Sequence, residues 1–138
     1  MTLAETLAEL HAASFPRGWT THEFETLLAN PAYTIITSDH GFAMLQIIPP
    51  EAELITISIL PTARGMGHGR TLLSRTVEAA RTAGATSIFL DVDATNVAAI
   101  ALYESAGFSE FARRPGYYAS EDDKPSDAIQ MVHHVSAQ

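Results

Sequence analysis

The feature that most constrains this chain is a glycine-rich loop between an apolar strand and an amphipathic helix. The strand is predicted over residues 53–60, and a helix follows from about Gly69 to Ala83. Between them the chain reads Arg64-Gly65-Met66-Gly67-His68-Gly69-Arg70. Glycine allows positive φ angles and close backbone approach, so successive amides can point at one position beside a helix N-terminus. The loop is therefore either an anion site for a phosphate group or a plain tight turn.

Two common phosphate-binding patterns do not fit this loop. The dinucleotide pattern needs a third glycine where Arg70 stands, and it belongs after the first strand of a domain, whereas this loop lies in mid-chain. The P-loop pattern needs a lysine near its end, and this chain continues with Arg70 and Thr71. The loop therefore argues against a nicotinamide dinucleotide and against a nucleoside triphosphate.

Hydrophobic periodicity predicts helices and strands in the order ααβββαβαββ. The third strand alternates, with Ile55, Ile57 and Ile59 predicted on one face and Thr56 and Ser58 on the other. The helix after the loop presents an apolar inner stripe that consists of Leu72, Leu73, Thr76, Val77 and Ala80. Because strands mix with helices, the predicted class is α/β (α+β) with a central mixed sheet.

Composition narrows the function classes. The 138 residues suit a single domain, taken as residues 1–138. The absence of cysteine excludes disulfides, cysteine nucleophiles and thiolate-bound zinc. Sixteen acidic residues against eight basic ones give a net charge of −8, which argues against nucleic acid as a partner. Neither an apolar run of roughly 20 residues nor a secretory signal is visible, so we expect a cytoplasmic protein without a membrane partner.

A second motif occupies residues 88–108, which read Ile-Phe-Leu-Asp-Val-Asp-Ala-Thr-Asn-Val-Ala-Ala-Ile-Ala-Leu-Tyr-Glu-Ser-Ala-Gly-Phe. This motif and the spacing Arg64-x-x-Gly67-x-Gly69 closely resemble the two signatures of the GNAT superfamily of N-acetyltransferases. The resemblance covers nearly the whole chain. It implies a mostly antiparallel, twisted mixed sheet flanked by helices, with acetyl-CoA as co-substrate and no metal.

Other residues are similar to the bacterial RimI branch of that superfamily, namely Phe15-Pro16, Trp19, Arg113-Arg114 and Tyr117-Tyr118. Enzymes of that branch acetylate the N-terminal alanine of a small-subunit ribosomal protein. The family usually opens with a strand before its first helix, whereas this chain starts almost directly at the helix. The sheet therefore either lacks that edge strand or retains Met1 and Thr2 as its remnant.

Asp91 stands where the resemblance places a glutamate general base. Alternation puts Asp91 and Phe89 on one face of their strand, opposite the apolar side chains. A carboxylate in a mostly apolar strand costs free energy unless it is paired or used. Asp91 is therefore either bonded to a loop amide or the base, and its short side chain favours action through a bridging water.

Tyr103 follows Asn96 by seven residues, almost two helical turns, so both side chains share one helix face. The resemblance implies that the Tyr103 phenol is the general acid for the departing thiolate, the alternative being a core tyrosine. Asn96 is implied to contact the pantetheine arm of coenzyme A, and it can also cap the helix without losing that role.

The remaining site residues are implied by the resemblance. The backbone of the third strand would align with the pantetheine amides, so the full cofactor-binding set is Ile57, Ser58, Ile59, Arg64, Gly65, Met66, Gly67, His68, Gly69, Arg70 and Asn96. Tyr117 and Tyr118 either line the acceptor groove or pack locally, and Trp19 either lines the acceptor pocket or joins the first two helices. His133 and His134 would point to opposite faces of a strand, which argues against a shared metal.

These predictions converge on direct acetyl transfer from acetyl-CoA to a protein N-terminal amine, with the N-terminal alanine of a small-subunit ribosomal protein as the preferred acceptor. An α-amine with a pKa of about 7.7–8.0 is roughly a fifth deprotonated at neutral pH, which suits a modest base such as Asp91. The alternatives are transfer to a lysine or a small-molecule amine, and an acetyl-CoA-binding module without turnover.

Overall fold

The computed structural model describes residues 2–12, 19–118 and 125–135, so Met1, Phe15 and Pro16 lie outside the described residues. The elements follow the predicted order. They are α1 (Leu3–Ala12), α2 (Thr21–Leu28), β1 (Tyr33–Ser38), β2 (Gly41–Ile48), β3 (Glu51–Ile59), α3 (His68–Thr82), β4 (Ser87–Asp93), α4 (Val97–Ser105), β5 (Ser109–Tyr118) and β6 (Ser126–His134). A 3-10 turn at Pro61–Ala63 leads from β3 to the glycine loop.

The strands form one six-stranded sheet in the order β1-β2-β3-β4-β6-β5. Only β3 and β4 pair in parallel, and the other neighbours are antiparallel, so the prediction of a mixed, mostly antiparallel sheet is confirmed. β5 ends at Tyr118, which pairs with Ser126 of β6, so Tyr117 and Tyr118 both lie within this strand.

The structure at Thr2 decides whether this residue is the remnant of an edge strand. Thr2 caps α1, because its hydroxyl accepts from the Glu5 amide at 3.1 Å and its own amide donates to the Glu5 carboxylate at 3.2 Å. Thr2 is therefore not a strand remnant. Within the described residues, β1 and β5 are the two edge strands of the sheet, and no strand precedes α1.

Helices pack on both faces of the sheet. The predicted inner stripe of α3 is buried at all five positions, from Leu72 to Ala80, and it packs with α4 on one core cluster. On the other face, α1 and α2 cover a smaller cluster that includes Leu7, Phe24 and Phe42. The helices of the described residues are too short or too polar to cross a membrane.

A β-bulge in β3 overturns one predicted pattern. The register with β2 shifts between Leu54 and Thr56, which leaves Ile55 as an extra residue. Ile55 packs against the cluster under α1 and α2, whereas Ile57 and Ile59 pack against the cluster on the opposite face. The prediction that these three isoleucines share one face is therefore wrong for Ile55, because an inserted residue reverses the alternation.

The parallel pairing of β3 with β4 is short. It starts at Glu51 opposite Ser87 and ends at Glu53 opposite Phe89. Beyond that point, β4 continues its pairing with β6 as far as Asp93. A bulge bends and twists its strand, and the bulge of β3 comes directly after the last paired residues. The sheet is therefore open between the ends of β3 and β4.

The turn into β2 leaves no room for a side chain at Gly41. A Cβ atom at this position would overlap the carbonyl oxygen of Ser58 in β3. We expect Gly41→Ala to lower the free energy of unfolding by about 3 kcal/mol, since backbone must move to relieve the overlap. Thermal denaturation should show a fall in Tm of roughly 10 °C.

Gly69→Ala is the matched control for that measurement. A Cβ atom at Gly69 would lie 3.4 Å from the Leu102 side chain, which is ordinary contact. We expect its Tm to stay close to that of the wild type. Equal Tm values for the two variants would contradict the steric account of Gly41.

Candidate functional site

Two cavities meet at the opening between β3 and β4. The larger cavity, of about 1050 Å³, is bounded by the outer half of β3, the glycine loop, the end of β4 and α4. The smaller cavity, of about 540 Å³, lies on the sheet face made by β2, β3, β4, β5 and β6. Among the described residues, Asp91 is the one residue that lines both cavities.

The glycine loop forms one end of the larger cavity. Arg64, Gly65, His68 and Gly69 line it. Gly65 has a φ angle of +79°, and a Cβ atom built there would have no heavy atom within 4 Å, so this stretch of backbone is open to a ligand. The Arg64 guanidinium donates from Nε to the Ile59 carbonyl at 3.1 Å, which ties the loop to the end of β3.

The other predicted loop residues are placed differently. Met66, Gly67 and Arg70 are not among the residues that line the larger cavity, and the Met66 side chain is 68 % exposed. Gly67 has a φ angle of +83° and precedes the first residue of α3. Its role in the fold is thus to let the chain turn into the helix. The His68 ring stacks on the His40 ring of the β1–β2 turn with centroids 3.8 Å apart.

The outer half of β3 and the start of α4 form the walls of the same cavity. Ile57, Ser58 and Ile59, the stretch whose backbone the resemblance aligns with pantetheine, all line it. Asn96 lines it too, and its side chain caps α4 by accepting from the Ala99 amide at 3.1 Å. Asn96 therefore caps the helix and also lies at the cavity, while its contact with a pantetheine arm stays a prediction.

Asp91 lies on the open face of β4. Phe89 points to the same side, and Ile88, Leu90 and Val92 are buried on the other, as alternation predicts. The Asp91 carboxylate is exposed, and it has access to both cavities because the neighbouring strand separates beyond Glu53. A carboxylate at this position can exchange a proton with a group in either cavity.

Tyr103 and Tyr118 both line the larger cavity. Tyr103 is 9 % exposed, and burial together with the nearby Tyr118 raises the pKa of its phenol to about 12. Burial and the negative charges of Asp91 and Asp93 also raise the pKa of Tyr118. Both phenols therefore carry their protons at neutral pH and can donate hydrogen bonds into the cavity.

Adjacent tyrosines of β5 serve different cavities. Tyr117 lines the smaller cavity, whereas Tyr118 lines the larger one. The two rings meet edge to face, with centroids 5.1 Å apart. The Arg114 guanidinium lies 5.5 Å from the centre of the Tyr117 ring, a cation–π contact that holds this ring at the rim. The sequence analysis considered both tyrosines together as residues of the acceptor groove, whereas in the structure they line different cavities.

Trp19 lies between the first two helices. Its ring stacks on His11 of α1 with centroids 4.7 Å apart, and it lies 5.4 Å from the Phe24 ring of α2. Its backbone amide donates to Nδ1 of His11 at 3.0 Å. Burial lowers the pKa of His11, which favours the neutral ring that this bond requires. Trp19 does not line either cavity, so the geometry favours the reading in which it joins the helices.

Sequence reasoning missed Glu53. Its side chain lines the smaller cavity together with Asp91. Burial and the charge of Asp91 raise the pKa of the Glu53 carboxyl. The signal was the alternation of Glu51 and Glu53 with buried Ala52 and Leu54, which places both acids on one face. That pattern does not show that β4 is the strand next to β3, so it could not predict that Glu53 lies near Asp91.

The two C-terminal histidines point to opposite faces of β6, as predicted. The His133 ring packs against the Phe108 ring with centroids 5.3 Å apart. His134 Nδ1 lies 3.0 Å from the Ser87 hydroxyl. In the part of the chain that the structure describes, no group of three histidine or acidic side chains is arranged to hold a metal ion.

The arrangement suits a long cofactor with a phosphate-rich end and an acyl end. The open backbone at Gly65 and the N-terminus of α3 can receive phosphate groups. The separated end of β3 can bond to amides along an extended chain. At the far end, Tyr103, Tyr118 and Asp91 supply two phenol donors and one carboxylate. These groups are the ones that acyl transfer to an amine requires.

Comparison with known proteins agrees with this geometry. The sequence profile of the acetyltransferase (GNAT) family matches residues 4–108. The [ribosomal protein bS18]-alanine N-acetyltransferase of Escherichia coli K12 is 40 % identical over 96 residues, which are 70 % of this chain and 64 % of that protein. The match therefore spans slightly less than two thirds of the length of that relative.

Solved structures show the same fold. The ribosomal-protein-S18-alanine N-acetyltransferase of Escherichia coli superposes with a TM-score of 0.87 at 30 % identity, covering 98 % of this chain and 89 % of that one. The yncA protein of Salmonella typhimurium, solved with acetyl-CoA, superposes with a TM-score of 0.81 at 22 % identity, covering 98 % of this chain and 90 % of that one.

Proposed function

Since the chain belongs to the acetyltransferase (GNAT) family, we propose that it transfers acetyl from acetyl-CoA to the N-terminal amine of a protein. The Escherichia coli relative that matches 70 % of this chain is an alanine N-acetyltransferase of ribosomal protein bS18, and the acceptor we propose is therefore the N-terminal alanine of a small-subunit ribosomal protein. Residues 1–138 would act as one domain, in the cytoplasm, where ribosomal proteins are made.

The observation that carries this proposal is the position of Asp91 between the two cavities. A transferase must bring the reacting atoms of donor and acceptor together while it binds the rest of each molecule in a separate place. The larger cavity has the loop and strand edge for coenzyme A, and the smaller one opens on the other side of the same carboxylate. The acceptor amine would enter from the smaller cavity and meet the thioester beside Asp91.

Each chemical need then has a group in this chain. Acetyl-CoA supplies an activated acetyl group as a thioester. Asp91 takes a proton from the acceptor ammonium group through a bridging water, which frees the nitrogen lone pair to attack. A backbone amide of β3 in the stretch Ile57–Ile59 donates to the thioester oxygen as negative charge develops there. With no cysteine in the chain, acetyl is transferred directly rather than through a thiol of the enzyme.

Tyr103 would stabilise the leaving sulfur. A phenol with a pKa of about 12 keeps its proton at neutral pH, so it is always ready to donate a hydrogen bond. Complete proton transfer to a thiolate with a pKa of about 8.5 would be uphill by roughly 5 kcal/mol. Tyr103 therefore acts mainly as a hydrogen-bond donor to the negative charge that grows on sulfur while the carbon–sulfur bond breaks.

The test is acetyl transfer to a peptide that has a free N-terminal alanine and an internal lysine, with the site located by fragmentation mass spectrometry. Acetyl on the α-amine supports the proposal. The same peptide with a blocked N-terminus is the control, and it should stay unmodified. Acetyl on the lysine alone would make the chain a lysine or small-amine acetyltransferase. Binding of acetyl-CoA without any transfer would make it a binding module.

A further inference from the structure

We propose that Asp127 is a positioning residue, which holds a bulge in β5 and thereby determines where Tyr117 and Tyr118 lie relative to Asp91. The inference rests on the proposed function, because it takes the smaller cavity, which Tyr117 lines, as the place of the acceptor peptide. Asp127 itself lines neither cavity. Its effect on acetyl transfer therefore has to pass through the two tyrosines.

The bulge lies near the end of β5 and sets the position of both tyrosines. Regular pairing with β6 stops after Arg114 and resumes at Tyr118, which lies opposite Ser126. Between these two positions, three residues of β5 (115–117) stand against the single residue Asp127. The bulge therefore adds two residues to β5. Without it, the tyrosines would lie two positions further toward the start of β6, a displacement of about 7 Å.

The Asp127 carboxylate supplies hydrogen-bond acceptors to this bulge. Pro115 has no amide hydrogen to donate to β6. The Gly116 amide donates to Oδ1 of Asp127 at 3.0 Å, and Gly116 has a φ angle of +64°, which favours glycine. The second oxygen, Oδ2, accepts from the Arg113 guanidinium at 3.2 Å. One carboxylate thus binds β5 before and after Pro115.

Asp127 is in turn anchored to the strand that carries Asp91. Its carbonyl oxygen accepts from the Ala94 amide at 2.9 Å. The hydroxyl of the preceding residue, Ser126, donates to the Asp93 carboxylate at 2.8 Å. Asp93 follows Asp91 by two residues in β4. These bonds connect the end of β5 that bears the tyrosines to β4, close to the carboxylate that faces both cavities.

The experiment compares Asp127→Ala with the wild type in acetyl transfer to the peptide that has a free N-terminal alanine. We expect kcat/KM for the peptide to fall about 10–100-fold, because a displacement of about 1 Å that starts far from the reacting atoms can cost as much. The fall should come mainly from a higher KM for the peptide. The Kd of acetyl-CoA should change little, since the glycine loop and the backbone of β3 are unchanged.

Two further variants separate the bulge from a general loss of charge or of folded protein. Asp127→Asn keeps an oxygen that can accept from the Gly116 amide, so it should recover most of the peptide affinity. Glu110→Gln removes the other carboxylate near Arg113, at 3.6 Å from the guanidinium, and it should match the wild type. A variant that only lowers the fraction of folded protein reduces the apparent kcat and leaves both KM values unchanged.

Dependence on Tyr117 is the decisive measurement. If Asp127 acts through this ring, Asp127→Ala should add little to the peptide KM of Tyr117→Ala, because both changes remove the same interaction. An increase in peptide KM by the same factor in the presence and in the absence of Tyr117 would overturn the proposal. An unchanged peptide KM in Asp127→Ala alone would overturn it as well.

The failure of this inference can be told apart from the failure of the proposed function. If the wild type does not acetylate the peptide, the proposed function is lost, and hydrogen exchange at the Gly116 amide still tests the role of Asp127. We expect this amide to exchange about tenfold faster in Asp127→Ala, because its acceptor is removed and the bulge opens more often. Equal exchange rates in the two proteins would show that Asp127 does not hold the bulge.

Discussion

Replacement of Tyr103 by phenylalanine should slow acetyl transfer by about 10²–10³-fold, the usual range for loss of one hydrogen-bond donor to a developing negative charge. The variant keeps the ring that packs edge to face against Phe108, with centroids 6.0 Å apart, and it loses only the hydroxyl. Without that donor, negative charge on the departing sulfur has lost a partner inside a largely buried part of the cavity. The measurement is kcat with saturating acetyl-CoA and the alanine peptide.

Acetyl-CoA affinity should change little in the same variant, because the glycine loop and the backbone of β3, which would hold most of the cofactor, are left unchanged. Titration calorimetry can check this directly. Tyr118→Phe is the comparison variant for both measurements. Tyr118 lines the same cavity, and its replacement also removes a hydroxyl while the aromatic ring remains. Turnover of Tyr103→Phe close to that of the wild type would remove Tyr103 from the mechanism and would leave it as a core tyrosine.

Replacement of Asp91 by asparagine should also cost about 10²–10⁴-fold in kcat/KM at pH 7. Asparagine has nearly the same shape but cannot accept the ammonium proton, and the exposed position means that the fold should tolerate it. Asp91→Glu should keep substantial activity, because the longer side chain reaches the same region without a bridging water.

Asp39→Asn is the matched control for this experiment. Asp39 is exposed in the turn between β1 and β2, and it lines neither cavity. Its rate should equal that of the wild type. A rate for Asp91→Asn within a factor of two or three of the control would show that Asp91 is not the proton acceptor.

Much of the fold could be predicted from local patterns. The inner stripe of α3 follows from helical periodicity, and the predicted end of this helix near Ala83 agrees with the observed end at Thr82, after which Gly84 adopts a φ angle of +99°. Alternation in β4 correctly placed Asp91 and Phe89 on the open face. Such features depend on residues close together in the chain, so composition and spacing are enough to predict them.

The sequence predictions were wrong or incomplete where the structure depends on contacts between residues far apart in the chain. Nothing in residues 53–60 announces that Ile55 is a bulge, because its chemistry suits an ordinary strand, and the extra residue is visible only against β2. The bulge reverses the faces of β3 and accompanies its separation from β4. Similarly, Trp19 could be placed on the helices rather than in a cavity only when its contact with His11 was known.

By itself, the sequence determined the order of elements, the glycine loop, and the resemblance through which Asp91, Tyr103 and Asn96 were singled out, since each is carried by a contiguous motif. The tertiary structure alone decided that Glu53 stands beside Asp91, that Tyr117 and Tyr118 serve different cavities, and that Asp91 joins those cavities. The physical reason is strand pairing. Which strands become neighbours, and where they part, depends on packing across the whole sheet rather than on any local pattern of residues.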